Sequence, residues 1–264
     1  MRVKWLNKLS QKANQKIAMI LALTIMVCGA ALLSGCGQRA YTDPLKKYRH
    51  MTAEQLFVGA NKNLAKKHYG EAVKQYSALD AMYPFGRYNQ RAQLYIIYAN
   101  YKNNDMLSTD LAAQRYIRLY PRGKSVDYAY YMSALANFSE GQTWLSKRLG
   151  AAKNQRDLQF YKVGYRNLMD LTQTFPNSPY YHSAVLHMHD VRNLAAQKQY
   201  NIAKFYYVRK AYVATINRCN YLLVHIPNSN IAPKALQLIV RSYKMLGLPK
   251  QAAFYQGIYN RSFG

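Results

Sequence analysis

Tyr83-Pro84-Phe85-Gly86-Arg87-Tyr88-Asn89-Gln90-Arg91-Ala92 decides the fold, because its pattern recurs at one constant spacing. Its counterparts are Tyr120-Pro121 followed by Ala129, Phe175-Pro176 followed by Ala184, and Ile226-Pro227 followed by Ala235. Proline has no amide hydrogen and clashes with the preceding turn, so each pair ends a helix. Small, polar or turn-forming residues come next (Phe85-Gly86, Arg122-Gly123, Asn177-Ser178, Asn228-Ser229). A new helix then starts, and its alanine lets it lie close to a neighbour. Ser178-Pro179 predicts a capping residue with proline at the first helical position. A pattern repeating in register predicts an all-α chain of stacked helix pairs.

Working outward, Thr52-Ala53-Glu54-Gln55 reads as a capping box and sets the first helix start. The unit it opens fits the tetratricopeptide pattern. Leu56 takes the large apolar slot, Ala60 and Ala72 the small slots, Tyr76 the aromatic slot and Pro84 the terminal proline. A second unit keeps the tight turn Lys102-Asn103-Asn104-Asp105, with Thr109 where alanine is usual. Beyond it, the intervals from Pro121 to Pro176 and from Pro176 to Pro227 exceed the usual period of about 34 residues. The third unit is therefore expected to hold an inserted loop at 142–155, and the fourth a lengthened connection near 199–204. A fifth, with Gly247-Leu248-Pro249 as its turn, completes an α-solenoid of about five tetratricopeptide-like helix pairs. N-terminal repeats span 52–141 and C-terminal repeats 156–264. Phe205-Tyr206-Tyr207-Val208 has strand propensity, which the repeat overrides because that propensity is strongly context-dependent.

Ahead of the repeats lies a different kind of sequence. Arg2, Lys4, Lys8, Lys12 and Lys16 precede an apolar run that ends in Leu33-Ser34-Gly35-Cys36. This is the layout of a secretory signal finishing on a lipobox. It implies a cleaved signal over 1–35, lipidation of Cys36, and a tether over 36–51 containing Pro44. The competing reading, a permanent spanning anchor, meets a run near the short limit for a bilayer. Gly37 after the cysteine, in place of Asp, resembles the sorting pattern for the outer membrane. Cys28 leaves with the signal and Cys36 carries lipid, so Cys219 has no partner for an internal disulfide.

Charge is the unusual quantity. The chain has 37 Lys+Arg against 11 Asp+Glu, a formal net charge of +26. Such a balance favours anionic partners. The cations come in ones and twos, as at Lys66-Lys67 and Arg209-Lys210, which reads as a solvated basic surface without a nucleic-acid partner.

Catalytic chemistry is not legible. Gly123-Lys124-Ser125 ends like a P-loop, but Arg118 occupies the first glycine position and a helix terminator replaces the strand. His187 and His189 stand two apart and so point away from each other, and with His182 they supply no adequate metal-ligand set. No nucleophile–base constellation emerges. The expectation is a non-enzyme with no cofactor, no metal and no catalytic residue.

The 26 tyrosines are the remaining lead. In tetratricopeptide arrays the first helix of each unit lines a concave groove. Laid on this chain, the groove positions are Phe57, Asn61 and Leu64 in unit one. Unit two gives Arg91, Leu94, Tyr98, Tyr101 and Lys102, and unit three gives Tyr128, Tyr131, Leu135 and Phe138. Tyr98, Tyr101 and Lys102 share one helix face. An aromatic groove edged by Arg91 and Lys102 would hold an extended peptide with an aromatic end and a free carboxylate. The bland alternative keeps each tyrosine in the core.

The lipobox and the repeats together resemble the BamD family, lipoproteins of the outer-membrane β-barrel assembly machinery. The residues carrying the resemblance are Leu79-Asp80-Ala81-Met82-Tyr83-Pro84-Phe85-Gly86, Ala99-Asn100-Tyr101-Lys102-Asn103-Asn104-Asp105, Arg118-Leu119-Tyr120-Pro121, Asp127-Tyr128-Ala129-Tyr130-Tyr131-Met132 and Arg156-Asp157. The resemblance implies a lipid-anchored protein on the periplasmic face of the outer membrane. Its implied partners are the POTRA domains of BamA, unfolded outer-membrane protein precursors and accessory Bam lipoproteins. The chain departs from the family in being more basic. Two other readings stand beside it: another periplasmic repeat lipoprotein acting as a cell-wall or envelope scaffold, and a nucleic-acid-binding uptake lipoprotein.

Overall fold

The computed structural model describes residues 43–140 and 159–264. Cys36, the signal sequence and the 142–155 insertion lie outside the described residues. Contacts divide the chain into a unit ending at Arg49 and a unit from His50 to Gly264. In the first, Lys46–Tyr48 form a short 3-10 turn, and the Arg49 guanidinium meets the Asp43 carboxylate at 2.6 Å.

The second unit is helical throughout its described residues. Its helices are α1 (Ala53–Ala65), α2 (Tyr69–Met82), α3 (Asn89–Lys102), α4 (Met106–Leu119), α5 (Val126–Glu140), α6 (Gln159–Thr174), α7 (Tyr181–Val208), α8 (Tyr212–His225), α9 (Ala232–Met245) and α10 (Pro249–Phe263). Each packs on the next, and the first helices of successive pairs also touch, α3 on α5 and α7 on α9. The described residues form an α-solenoid of five helix pairs.

Local chemistry explains the punctuation. At the start of α1, the Gln55 amide donates to Thr52 Oγ1 at 3.2 Å while Gln55 Oε1 accepts from the Thr52 amide at 2.8 Å, a complete capping box. Within pairs, four turns each use one residue in the left-handed region: Lys67, Asn104, Lys210 and Gly247. In each, the next amide reaches back to a carbonyl in the last helical turn (His68 to Asn63, Asp105 to Asn100, Ala211 to Tyr206, Leu248 to Tyr243) at 2.9 to 3.0 Å. That bond satisfies a carbonyl the helix end would leave orphaned. Between pairs, the residue before each proline closes the helix with a 2.8 Å bond: Tyr83 to Leu79, Tyr120 to Tyr116, Phe175 to Leu171 and Ile226 to Leu222. The alanines beyond the prolines (Ala92, Ala129, Ala184, Ala235) are fully buried.

Two local expectations need correction. Ser178 does not cap α7, and Pro179 is not its first residue; the helix begins at Tyr181 after a turn closed by the Tyr181 amide on the Ser178 carbonyl. Nor is 199–204 a connection. It lies inside α7, a helix of 28 residues. Neither Gly nor Pro interrupts Tyr181–Val208, so nothing stops the helix. The Phe205-Tyr206-Tyr207-Val208 run is its last turn.

The long helix serves two cores. In its first half Ala184, Met188, Val191 and Leu194 pack with Ala134, Phe138, Tyr161, Leu168 and Leu171 of α5 and α6. In its second half Ala196, Tyr200, Ala203 and Tyr207 join Ile216, Cys219, Leu222, Ala235 and Ile239 of α8 and α9. Burying each large apolar side chain stabilises the fold by about 1.5–3 kcal/mol.

Candidate functional site

The first helices of the pairs bring side chains together on one face. Leu64 of α1 and Leu94, Tyr95 and Tyr98 of α3 meet Ser125 and Tyr128 at the start of α5. With Tyr180, from the turn before α7, they line an open recess of about 300 Å³. Tyr180 is held by the turn: its amide donates to Ser178 Oγ at 3.1 Å, and that hydroxyl donates to Asp127 Oδ2 at 2.7 Å.

A second recess, about 270 Å³, follows along the array. Its walls are Leu135, Phe138 and Ser139 of α5, Tyr161 of α6, and His187, Asp190, Val191 and Leu194 of α7. Gly164 of α6 seats the Phe138 ring, since a Cβ there would collide with Phe138 Cε1. The Tyr161 hydroxyl is buried and has no hydrogen-bond partner among the described residues.

A line of rings joins the two. Tyr128 lies 5.8 Å from Tyr180, Tyr180 stacks on Tyr131 at 5.0 Å, and Tyr131 lies 6.2 Å from His187. His187 lies 5.9 Å from Phe138, which stacks on Tyr161 at 5.9 Å. Burial raises the Tyr128 pKa well above the ordinary phenol range, and the neighbouring Tyr180, Tyr98 and Tyr101 phenols push the same way. Tyr180 is raised by burial and then by Asp127 and Tyr131. At neutral pH both are uncharged. The surface offers broad aromatic faces with sparse hydrogen-bonding groups, chemistry suited to bulky apolar side chains of an extended peptide.

Of the residues expected in the groove, Leu64, Leu94, Tyr98 and Tyr128 come together in the first recess and Leu135 and Phe138 in the second. Tyr131 forms the wall between them. Phe57 instead belongs to the core, stacked on Tyr88 at 4.8 Å. Asn61 accepts a 2.6 Å bond from the Tyr76 hydroxyl, giving that buried phenol its partner. Tyr101 packs on the cluster of Ile97, Tyr116 and Met132. Lys102 lies over Tyr98 at 5.7 Å and so borders the first recess, whereas Arg91 lies over the core ring of Phe57 at 5.4 Å. Tyr95, Ser125, Tyr180 and the α6–α7 side of the second recess were not expected. The turn signal Ser178-Pro179 before Tyr180 was the clue to the most important of them.

No group of His, Cys, Asp and Glu able to hold a metal occurs among the described residues. No described helix is long and apolar enough to cross a membrane.

Helix pairs stacked in register define a tetratricopeptide-like α-solenoid with a ring-lined face. The chain belongs to the outer membrane lipoprotein family, whose profile matches residues 49–256. It is 31% identical over 218 residues to the outer membrane protein assembly factor BamD of Vibrio cholerae, covering 83% of this chain and 88% of that one. The Pasteurella multocida BamD is 30% identical, covering 80% and 82%. That of Neisseria meningitidis serogroup B is 29% identical, covering 88% and 87%. Among solved structures, the chain is similar to MamA (14% identity, TM-score 0.35, covering 78% of this chain and 89% of that one). A Podosopora anserina kinesin light chain with tetratricopeptide-like repeats gives 10% identity and TM-score 0.36, covering 83% and 95%.

Proposed function

We propose that the protein is a non-catalytic scaffold of the outer-membrane β-barrel assembly complex. The observation that carries this reading is its similarity, over most of its length, to outer membrane protein assembly factors. In this reading Cys36 carries the lipid that holds the protein on the periplasmic face of the outer membrane. The repeats bind the POTRA domains of BamA and, where present, accessory Bam lipoproteins. The two ring-lined recesses take bulky side chains of unfolded outer-membrane protein precursors, with Lys102 at the border meeting a terminal carboxylate.

The test of the groove uses a peptide from the C-terminus of a barrel protein, free or amidated. Tyr98→Ala and Tyr180→Ala should each weaken binding, since truncating an interface anchor usually costs about 1–4 kcal/mol. Their melting temperatures should stay near that of the parent, whereas Tyr76→Ala, at a fully buried site, should melt lower without a matching effect on affinity. Lys102→Ala should matter for the free peptide and not for the amidated one. Unchanged affinity in both groove variants would remove the recesses from substrate binding.

A further inference from the structure

From Val191 to Gly264 the chain contains no Asp and no Glu, yet it carries eleven Lys and Arg. This stretch runs from the middle of α7 to the end of α10. Its exposed apolar side chains are not spread evenly. At the α7–α8 turn, Phe205 and Val208 stand in solvent, Val208 at 75% exposure, beside Lys204, Arg209 and Lys210. At the α9–α10 turn, Met245, Leu246 and Leu248 are exposed, with Lys244 before them and Lys250 after.

The two turns share an edge. α8 runs antiparallel to both α7 and α9, so those two helices end on the same side. Tyr207 and Tyr243, each in the last turn of its helix, pack on the same core cluster. Both turns have the same geometry, with Lys210 and Gly247 in the left-handed region. Within this stretch the opposite edge differs. Between Arg218 and Lys234 there is no Lys or Arg, so the exposed Val224 near the α8–α9 turn has no bracketing cations.

In each turn, apolar tips are bracketed by cations. A matching partner is layered the same way, anionic outside and apolar beneath, which describes a lipid leaflet. An acidic protein would match only through an apolar patch ringed by carboxylates, whereas an anionic leaflet presents that layering all along the edge. We infer that the α7–α8 and α9–α10 turns form an edge that docks on an anionic lipid surface. Val208, Met245 and Leu246 enter the headgroup boundary, while Arg209, Lys210, Lys244 and Lys250 meet lipid phosphates. The long stems of these cations let their charged ends stay at phosphate level beside the inserted tips. This inference is independent of the assembly reading and gives the acid-free region a role.

The test uses the full chain, isolated from membranes and reconstituted into vesicles. An environment-sensitive dye is placed on Val208→Cys, Leu246→Cys or, as a control, Asn228→Cys. Asn228 is exposed in the cation-free α8–α9 turn. Cys219 is fully buried, and the parent chain treated with dye in parallel gives the background. In phosphatidylglycerol vesicles, spin-labelled lipids should quench the dye at 208 and 246 several-fold more than at 228. The difference should vanish in phosphatidylcholine vesicles and shrink in about 0.5 M salt, where charges beyond a few ångströms are screened. The double reversal Lys210→Glu with Lys250→Glu should bring quenching down to the phosphatidylcholine level. Equal quenching at all three positions, or quenching at 208 and 246 indifferent to lipid charge, would overturn the inference. So would protection of these positions by acidic proteins with no quenching by anionic lipid.

Discussion

Removing the Asp80 carboxylate should be worse than removing its charge. Asp80, 6% exposed, sits in the last turn of α2. Its Oδ1 accepts from Asn89 Nδ2 at 2.8 Å and from Gln93 Nε2 at 2.9 Å, both on α3, and its Oδ2 meets the Arg115 guanidinium of α4 at 2.7 Å. Asn89 Oδ1 in turn accepts from the Tyr120 hydroxyl at 3.0 Å. The cluster therefore ties the first helix pair to the second. In Asp80→Ala, two buried amide donors lose their acceptor, and an orphaned buried donor costs about 1–3 kcal/mol. Gln93 keeps its bond to Asn89, so the total should be about 2–4 kcal/mol. Asp80→Asn keeps an acceptor for both amides but sets its own amide nitrogen against Arg115, whose side chain is 55% exposed and turns to water. The lost pairing and the new donor left facing a cation should together cost about 1–2 kcal/mol. For a domain of this size, about 2–4 °C accompanies each kcal/mol, so Asp80→Ala should lower the melting midpoint by roughly 4–16 °C. Asp80→Asn should lower it by roughly 2–8 °C. Thermal unfolding followed by circular dichroism measures both. Equal losses would refute the reasoning, because charge rather than amide satisfaction would then govern the cluster.

Ala129→Leu should cost about 1–3 kcal/mol by overpacking, read as a lower melting midpoint, because the position is fully buried at the contact of α5 with its neighbours. Cys219 is buried and its thiol is pushed up to about 12 by desolvation. A thiol reagent at neutral pH should therefore leave Cys219 unmodified in the folded protein and react with it fully in denaturant. Cys36→Ala should accumulate as an unprocessed precursor that takes up no palmitate analogue in metabolic labelling; labelling that persists would break the anchor assignment.

The register of the repeats was legible because its signals are stereochemical. Proline cannot continue a helix without losing a hydrogen bond and clashing with the preceding turn, and the alanines at constant spacing mark where two helices approach. The doubled length of α7 was not read because a long interval between prolines looks the same whether it holds a loop or a continuous helix. Only the absence of Gly and Pro from Tyr181–Val208 distinguished them. The groove was read in part. Leu94, Tyr98 and Tyr128 follow from helix phase alone, since their side chains point where the repeat sends them. Phe57 and Asn61 sit at equivalent positions yet turn inward, because the large Tyr76 ring needs a neighbour and its hydroxyl an acceptor. Tyr180 enters the recess from a turn, and helix phase carries no information about a turn residue.

Co-purification tests most directly whether this chain works within the β-barrel assembly complex. The tagged full chain, recovered from gently solubilised outer membranes of its own cells, should bring BamA with it in stable amounts. A groove variant such as Tyr98→Ala, if the partner-binding and peptide-binding surfaces are separate, should recover BamA equally well. Recovery of the intact, outer-membrane-located chain without BamA would contradict the account.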